Sequence, residues 1–439
     1  MTSSAPNTSN PNSLKQQHLS SSSSCIRNTL ILILLLLFTF YLILGHFMYH
    51  AMFSLSDKFY TEGYLKSREN SIFNVQTYIN CSDWKHSIAN SEFLQSLSHK
   101  LTTNQEQIEI KNVSFTSRVT PDIPYRVNLN GRFYRIIKHG SAASTGNTKK
   151  VIILVHGFRM RLNHYTIMVP LQMMLNAFPN GEYDFFTFEY RNHGQSDKEY
   201  PSIILPNKSY STYGSLEYAD LLGAIDFVKS QYGYEHVGLY GLSKGGATIM
   251  TAYLKSNPSD SIRAMFLDSP ACDIEFTLQS NLYRVLGYLV GHNDKLELDS
   301  LRMKIARYLL WPAIEMVGSM LKPNHPHHSY PPFLNDAFRL WKTRVESTEN
   351  GNTTHETFDK AAIHFDHPKS DILVPMQNSE RCSALASKLD HLKVSTYYGD
   401  VNSKEQKHTF SECKDHCILM LSEPEQYYER MTRFFKENL

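Results

Sequence analysis

The sequence predicts an α/β fold: a mostly parallel sheet flanked by helices, with a helical insertion late in the chain and an apolar span near its start. Three observations carry this. Short β-branched apolar runs alternate with helical periodicity from Val151 to Leu267. The alternation stops between about Pro270 and Asp359 and then resumes. Leu30–Met48 is almost continuously apolar and contains no Asp, Glu, Lys or Arg.

Residues 1–28 form a polar leader with an unbroken Ser20–Ser24 run, a composition that predicts disorder. Residues 29–49 are expected to form a transmembrane helix, since about 20 apolar residues cross the hydrocarbon core of a bilayer. A cleaved signal peptide is the rival reading. The long leader and the lack of a small-x-small site after the run argue against it. Lys15 and Arg27 precede the span while Lys58, Lys66 and Arg68 follow it, so charge does not orient it. The glycosylation triplets beginning at Asn80, Asn112, Asn207 and Asn352 lean toward a lumenal or extracellular catalytic domain.

Residues 50–104 read as a membrane-proximal connector packing onto the domain that follows, 105–439. Strand patterns occur at Gln107–Lys111, Tyr125–Leu129 and Phe133–Ile137. Val151–Val155 has the composition of a strand buried on both faces, with Phe185–Tyr190 as its neighbour and Ile167–Phe178 as the crossover helix. Leu216–Lys229 is spaced as a helix, His236–Tyr240 as a strand, the residues after Ser243 as a helix to about Lys255, and Ala264–Leu267 as a strand. The stretch from about 270 to 360 is too long for a loop and is expected to be a mostly helical lid, including Leu301–Leu321. Strands at Ala361–Phe365 and Leu392–Tyr398 and a final helix, Gln426–Asn438, complete the order.

The chemistry starts at Gly241-Leu242-Ser243-Lys244-Gly245. Between a strand and a helix this pentapeptide makes a sharp turn that exposes Ser243, while the glycines remove side chains that would clash. A serine there also faces the N–H groups of a helix N-terminus, which favour developing negative charge. A plain glycine turn with a capping serine is the bland alternative. His156-Gly157-Phe158 directly follows the strand at Val155, so the backbone N–H of Phe158 and that of Lys244 can converge as an oxyanion hole. His156 is expected to be structural, and the Lys244 ammonium to point to solvent.

With these features the chain resembles the α/β-hydrolase superfamily over about residues 107–437. Further matches are Arg191-Asn192-His193-Gly194-Gln195-Ser196, the Tyr213–Asp220 segment, and Asp371-Ile372-Leu373-Val374-Pro375. The Arg191 and Tyr213 segments look like the serine aminopeptidase and prolyl-oligopeptidase-like branch. The family's chain order of serine, acid, histidine implies Asp371 as the acid, with Asp366 as competitor, and His416 as the base, with His408 as competitor. The resemblance implies a Ser243–His416–Asp371 triad working through an acyl-enzyme.

The expected activity is that of a membrane-anchored serine hydrolase cleaving carboxylic esters or related acyl bonds. A lipid or acyl substrate is favoured because the anchor enriches the enzyme near such molecules. An acyltransferase using the same site and a catalytically silent binding protein on this fold are the alternatives. No cofactor or metal is expected; the Cys413/His416/Cys417 and His325/His327/His328 groupings lack a convincing ligand set. The formal charge of +2 and the absence of a basic stripe exclude nucleic acid as a partner. Six cysteines in a chain of 439 residues show no disulfide framework.

Overall fold

The computed structural model describes residues 28–45, 54–55, 91–137, 150–198, 209–289, 308, 312, 337–349, 360–401 and 416–439. Its centre is an eight-stranded sheet. The strands are β1 (Ile108–Thr116), β2 (Asn128–Ile136), β3 (Lys150–Val155), β4 (Tyr183–Glu189), β5 (His236–Leu242), β6 (Ile262–Asp268), β7 (Ala361–Pro368) and β8 (Leu392–Gly399). Their spatial order is β8-β7-β6-β5-β3-β4-β2-β1. From β8 to β4 every neighbouring pair is parallel, and β2 joins antiparallel to both β4 and β1. The expected strands at Tyr125–Leu129 and Phe133–Ile137 give way to one strand, β2, which starts only at Asn128 and runs through to Ile136. Tyr125–Val127 lie before it, and the gap at Asn130–Arg132 is closed by pairing on both edges.

The parallel strands read as unbroken apolar runs because both sheet faces are buried. Val151, Ile153 and Val155 of β3 enter one core, and Ile152 and Leu154 enter the other. The helices, in chain order, are α1 (Asn28–Gly45), α2 (Glu92–Thr103), α3 (Tyr165–Ala177), α4 (Tyr218–Tyr232), α5 (Lys244–Leu254), α6 (Ile274–Leu289), α7 (Ala337–Glu349), α8 (Gln377–Ala386), α9 (Leu419–Ser422) and α10 (Pro424–Asn438). Residues of α4, α5, α7 and α8 fill the first core; those of α2, α3, α9 and α10 fill the second.

In the connector, Ser91 caps α2 by accepting the Leu94 N–H, and Leu94, Leu97 and Leu101 are buried in the second core. Ser54–Leu55 pairs antiparallel with Ser209–Tyr210. Of the insertion, α6 and α7 are described. The expected helix at 301–321 and the Pro/His loop lie outside the described residues, except for Tyr308 and Pro312. Helix α7 belongs to the flanking layer: Trp341 is fully buried and donates its indole N–H to Met250 O on α5 at 2.9 Å. Loss of such an indole costs about 3–5 kcal/mol in a packed core.

Among the described residues, α1 is long and apolar enough to cross a membrane. Its side chains project away from the rest of the protein, with Leu34 64% exposed.

Candidate active site

Parallel strands all end on the same side of the sheet, and functional groups gather at their C-terminal ends. Strand β5 runs into Ser243, and α5 starts at the next residue. Ser243 has φ 55° and ψ −116°, a strained conformation for a residue with a side chain. Its surroundings hold it there. The Ser243 N–H donates to Asp268 O at the end of β6 (2.8 Å), and Ser243 O accepts from the N–H groups of Gly246 (3.0 Å) and Ala271 (3.2 Å). A Cβ on Gly245 would lie 2.1 Å from Val155 O, and one on Gly241 would lie 2.9 Å from the Gly245 carbonyl, so the turn needs both glycines.

One strand beyond β6 in the sheet, β7 leads into Asp371. Its Oδ1 accepts the N–H groups of Leu373 and Val374, each at 2.9 Å. Its Oδ2 faces two imidazoles: His416 Nδ1 at 2.6 Å and His367 Nε2 at 3.2 Å. Burial works against ionisation of Asp371, yet the His416 charge and the hydrogen bonds from both rings outweigh it and hold the carboxyl below its usual range. His416 Nε2 is buried and has no hydrogen-bond partner among the described residues. Thus the structure brings Asp371 and His416 together, while His416 Nε2 makes no hydrogen bond to Ser243.

The competitors are placed differently. Asp366 is bound to Arg430 Nε at 3.0 Å, within a cluster that anchors α10 to the sheet. His408 lies outside the described residues.

His367 was missed by the sequence reading. Its Nε2–H donates to Val374 O (2.8 Å) while Nδ1 pairs with Ser379 Oγ (2.7 Å), so its ring is held from both ends behind Asp371. Its four-residue offset from Asp371, at the end of a strand, was the available signal.

On the other side of Ser243, His156-Gly157-Phe158 follows β3. His156 Nδ1–H donates to Gly157 O (2.8 Å) and Nε2 accepts the Tyr190 N–H (3.5 Å). Burial, then the proximity of His193 and Lys244, pushes this imidazole well below its usual value, so it stays neutral and braces the turn. The Phe158 ring stacks on Tyr213 at 5.1 Å between centroids.

Lys244 departs from expectation. Its side chain does not reach solvent but is fully buried. Its Nζ lies 3.2 Å from Ser211 Oγ, 3.4 Å from His193 Nε2, 3.5 Å from Glu217 Oε1 and 3.9 Å from the centre of the Tyr190 ring. A carboxylate waits for it inside the fold, and this offsets the cost of removing the ammonium from water. Burial lowers the Lys244 value and Glu217 counters it. For Glu217, burial opposes ionisation, but the Lys244 charge and hydrogen bonds from Ser211 and Thr212 prevail and hold it well below the usual carboxylate range.

The two motif segments around this pair form one buried scaffold. Arg191 donates from its guanidinium to Asp220 Oδ1 at 2.8 Å and from its backbone N–H to Asp220 Oδ2 at 2.9 Å. Both side chains are buried, with 1% and 0% of their surface exposed.

Two of the cysteines do pair, contrary to expectation. Cys272, just after β6, is disulfide-bonded to Cys382 on α8, and both are buried. A pair separated by 110 residues leaves no local spacing pattern to read. Cys417, beside His416, is a buried free thiol. Among the described residues no cluster of His, Cys, Asp and Glu could hold a metal ion.

Residues 150–309 match the family model described as alpha/beta hydrolase fold. Together with the sheet order, this identifies the fold as α/β hydrolase. No curated protein sequence matches the chain. Solved structures that resemble it include an esterase of Pyrococcus furiosus (TM-score 0.44, 16% identity, covering 77% of this chain and 95% of that one). Another is an esterase of Exiguobacterium antarcticum (TM-score 0.36, 14% identity, covering 73% and 98%). A third is Est1E of Butyrivibrio proteoclasticus with ferulic acid bound (TM-score 0.38, 16% identity, covering 71% and 95%).

Proposed function

We propose that the chain is a membrane-anchored serine hydrolase that cleaves carboxylic esters through Ser243, His416 and Asp371. The observation that carries the reading is the 2.6 Å pairing of His416 Nδ1 with a buried, ionised Asp371, which leaves Nε2 without a partner among the described residues. The strained Ser243 elbow, at the end of a strand two places away in the sheet, supplies the nucleophile.

In this mechanism neutral His416 Nε2 takes the Ser243 hydroxyl proton as Oγ bonds to the ester carbonyl carbon. The carbonyl electron pair moves onto oxygen, which accepts from the N–H groups of Phe158 and Lys244; one such donor is worth about 10²–10³ in rate. When the carbonyl re-forms, the ester C–O bond breaks and His416 hands its proton to the departing alcohol. Water then repeats the sequence on the acyl-enzyme and releases the acid. Asp371 keeps Nδ1 protonated throughout and stabilises the imidazolium.

The buried Cys272–Cys382 bond supports an oxidising compartment for the catalytic domain. The Asn112-Val113-Ser114 triplet on edge strand β1, with Asn112 and Ser114 exposed, supports the same side. With α1 as the anchor, the domain faces the lumen or the exterior, and substrates of the membrane surface, acylated lipids among them, come within reach.

The test is labelling with a fluorophosphonate probe. The wild type should be modified and Ser243→Ala should not. A folded wild type that resists the probe and hydrolyses no p-nitrophenyl ester would sink the proposal.

A further inference from the structure

The buried Glu217 carboxylate has its acceptor sites filled, and its partners lie in two places. One is a short loop. Its Oε1 accepts from Ser211 Oγ–H (2.8 Å) and the Thr212 N–H (2.9 Å), and its Oε2 from Thr212 Oγ–H (2.6 Å) and the Gly214 N–H (2.9 Å). The other is the elbow, through Lys244 Nζ at 3.5 Å. Both partners are buried, Glu217 at 1% and Lys244 at 0% side-chain exposure.

The loop tied down in this way is strained at Tyr213, which has φ 50° and lies between the bonded Thr212 and Gly214; Gly214 has φ 97°, which a glycine adopts freely. A Cβ on Gly214 would lie 3.0 Å from Thr248 Cα, so the loop lies directly on α5, the helix that Ser243 leads into. The Tyr213 ring, held out by this backbone, stacks on Phe158 with 26° between the planes.

Phe158 follows β3 and Lys244 follows β5, and the pairing of these two strands ends at Val155 and Gly241, before either residue. Glu217 reaches Lys244 directly, and it reaches Phe158 through Thr212, Gly214 and the Tyr213 ring. We infer that Glu217 is a positioning residue that sets the two halves of the oxyanion hole, the N–H of Phe158 and the N–H of Lys244, at a common spacing. The inference rests on the hydrolase reading above and names a determinant of rate at that same site.

A donor displaced by a fraction of an ångström binds the ground-state carbonyl nearly as well but loses the developing oxyanion. Loss of the Glu217 tie should therefore lower kcat and leave KM almost unchanged. A carboxylate that only holds the fold together would lower the melting temperature and the folded fraction, with no change in turnover per folded site.

The experiment uses full-length protein in detergent and p-nitrophenyl butyrate as substrate, with active sites counted by fluorophosphonate titration. Glu217→Gln removes the charge at constant shape. Thr212→Val removes one hydroxyl donor and serves as the gentler variant should Glu217→Gln fold poorly. The expected result for Glu217→Gln is a fall in kcat per titrated site of roughly 10- to 100-fold with KM within about two-fold. A smaller fall in the same direction is expected for Thr212→Val. Affinity for an alkylboronic acid, which mimics the tetrahedral oxyanion, should drop in parallel with kcat/KM in both variants.

Unchanged kcat per titrated site in the folded variants overturns the inference while leaving the hydrolase reading intact. So does a rise in KM with kcat unchanged. A wild type that is inert to the probe and to the ester overturns both.

Discussion

His416 Nδ1 stands 2.6 Å from Asp371 Oδ2, and the same carboxylate oxygen is approached from behind by His367 Nε2 at 3.2 Å. Asp371 thus lies between two imidazoles, one with an open nitrogen and one fully engaged by Val374 O and Ser379 Oγ. The arrangement fixes which His416 nitrogen carries the proton, because a carboxylate can only accept.

Replacing that acceptor by an amide should therefore disable the base without unfolding the site. Asp371→Asn keeps the shape but permits the wrong His416 tautomer, and kcat is expected to fall by about 10³–10⁴. Steady-state ester hydrolysis with circular dichroism as a folding control measures it. Activity within ten-fold of wild type would remove Asp371 from the mechanism.

His367 should act through Asp371 rather than on substrate. His367→Gln retains hydrogen-bonding capacity with a different reach, so Asp371 loses its rear support. The expected effect is a drop in kcat of roughly 10-fold or more at constant KM. A matching change in KM would show instead that His367 shapes the binding pocket.

Asp268 offers a pH prediction. It is buried at the end of β6, where it accepts from Ser269 Oγ and from Tyr427 Oη, each at 2.8 Å. Burial first, and then the neighbouring Asp366, pushes its carboxyl up to about 7. The folded state therefore binds this proton more tightly than the unfolded chain, whose aspartates titrate near ~3.9. The stabilisation is full below about pH 4, declines as pH rises, and is gone above about pH 7. Urea unfolding at pH 5 and pH 8 should show wild type losing stability, on the order of a few kcal/mol, relative to Asp268→Asn. Parallel pH profiles for the two proteins would contradict this.

The Cys272–Cys382 bond closes a long loop around the insertion and ties the segment after β6 to α8. Its reduction, or the Cys272→Ala/Cys382→Ala pair, should destabilise the domain by about 2–5 kcal/mol. Thermal melts with and without reductant test it, and identical melts for wild type would mean that the bond is not formed in solution.

The compartment can be read from glycans. If the domain faces the lumen, peptide N-glycosidase F should increase the mobility of protein from a eukaryotic host, and Asn112→Gln should remove part of that shift. A mobility unaffected by the enzyme would remove the glycosylation triplets as support for a lumenal domain.

The sheet, its flanking helices and the Ser243 turn could all be recognised in the chain itself. Each rests on neighbours a few residues apart: Val151–Val155 as an apolar run, Leu221, Leu222, Ile225 and Val228 at helical spacing, and Gly241 and Gly245 around one serine. Asp371 and His416 were placed through chain order, and the structure sets them in contact. The strand expected from Tyr125 starts instead at Asn128 and runs on through Ile136, because pairing on both edges at Asn130–Arg132 overrides a local break in pattern.

What the sequence by itself determined, then, is the layered fold and the residues offered to the site. The tertiary structure decided their partners. It turned the Lys244 ammonium inward to Glu217, set His367 behind Asp371, assigned Asp366 to Arg430, and joined Cys272 to Cys382. His367 and Asp371 are four residues apart, but the other three pairs lie 27 to 110 positions apart and meet only where helices and strand ends pack together. Periodicity records which face of an element is buried. It does not record which buried polar group will be there to meet another, because that depends on packing between distant segments.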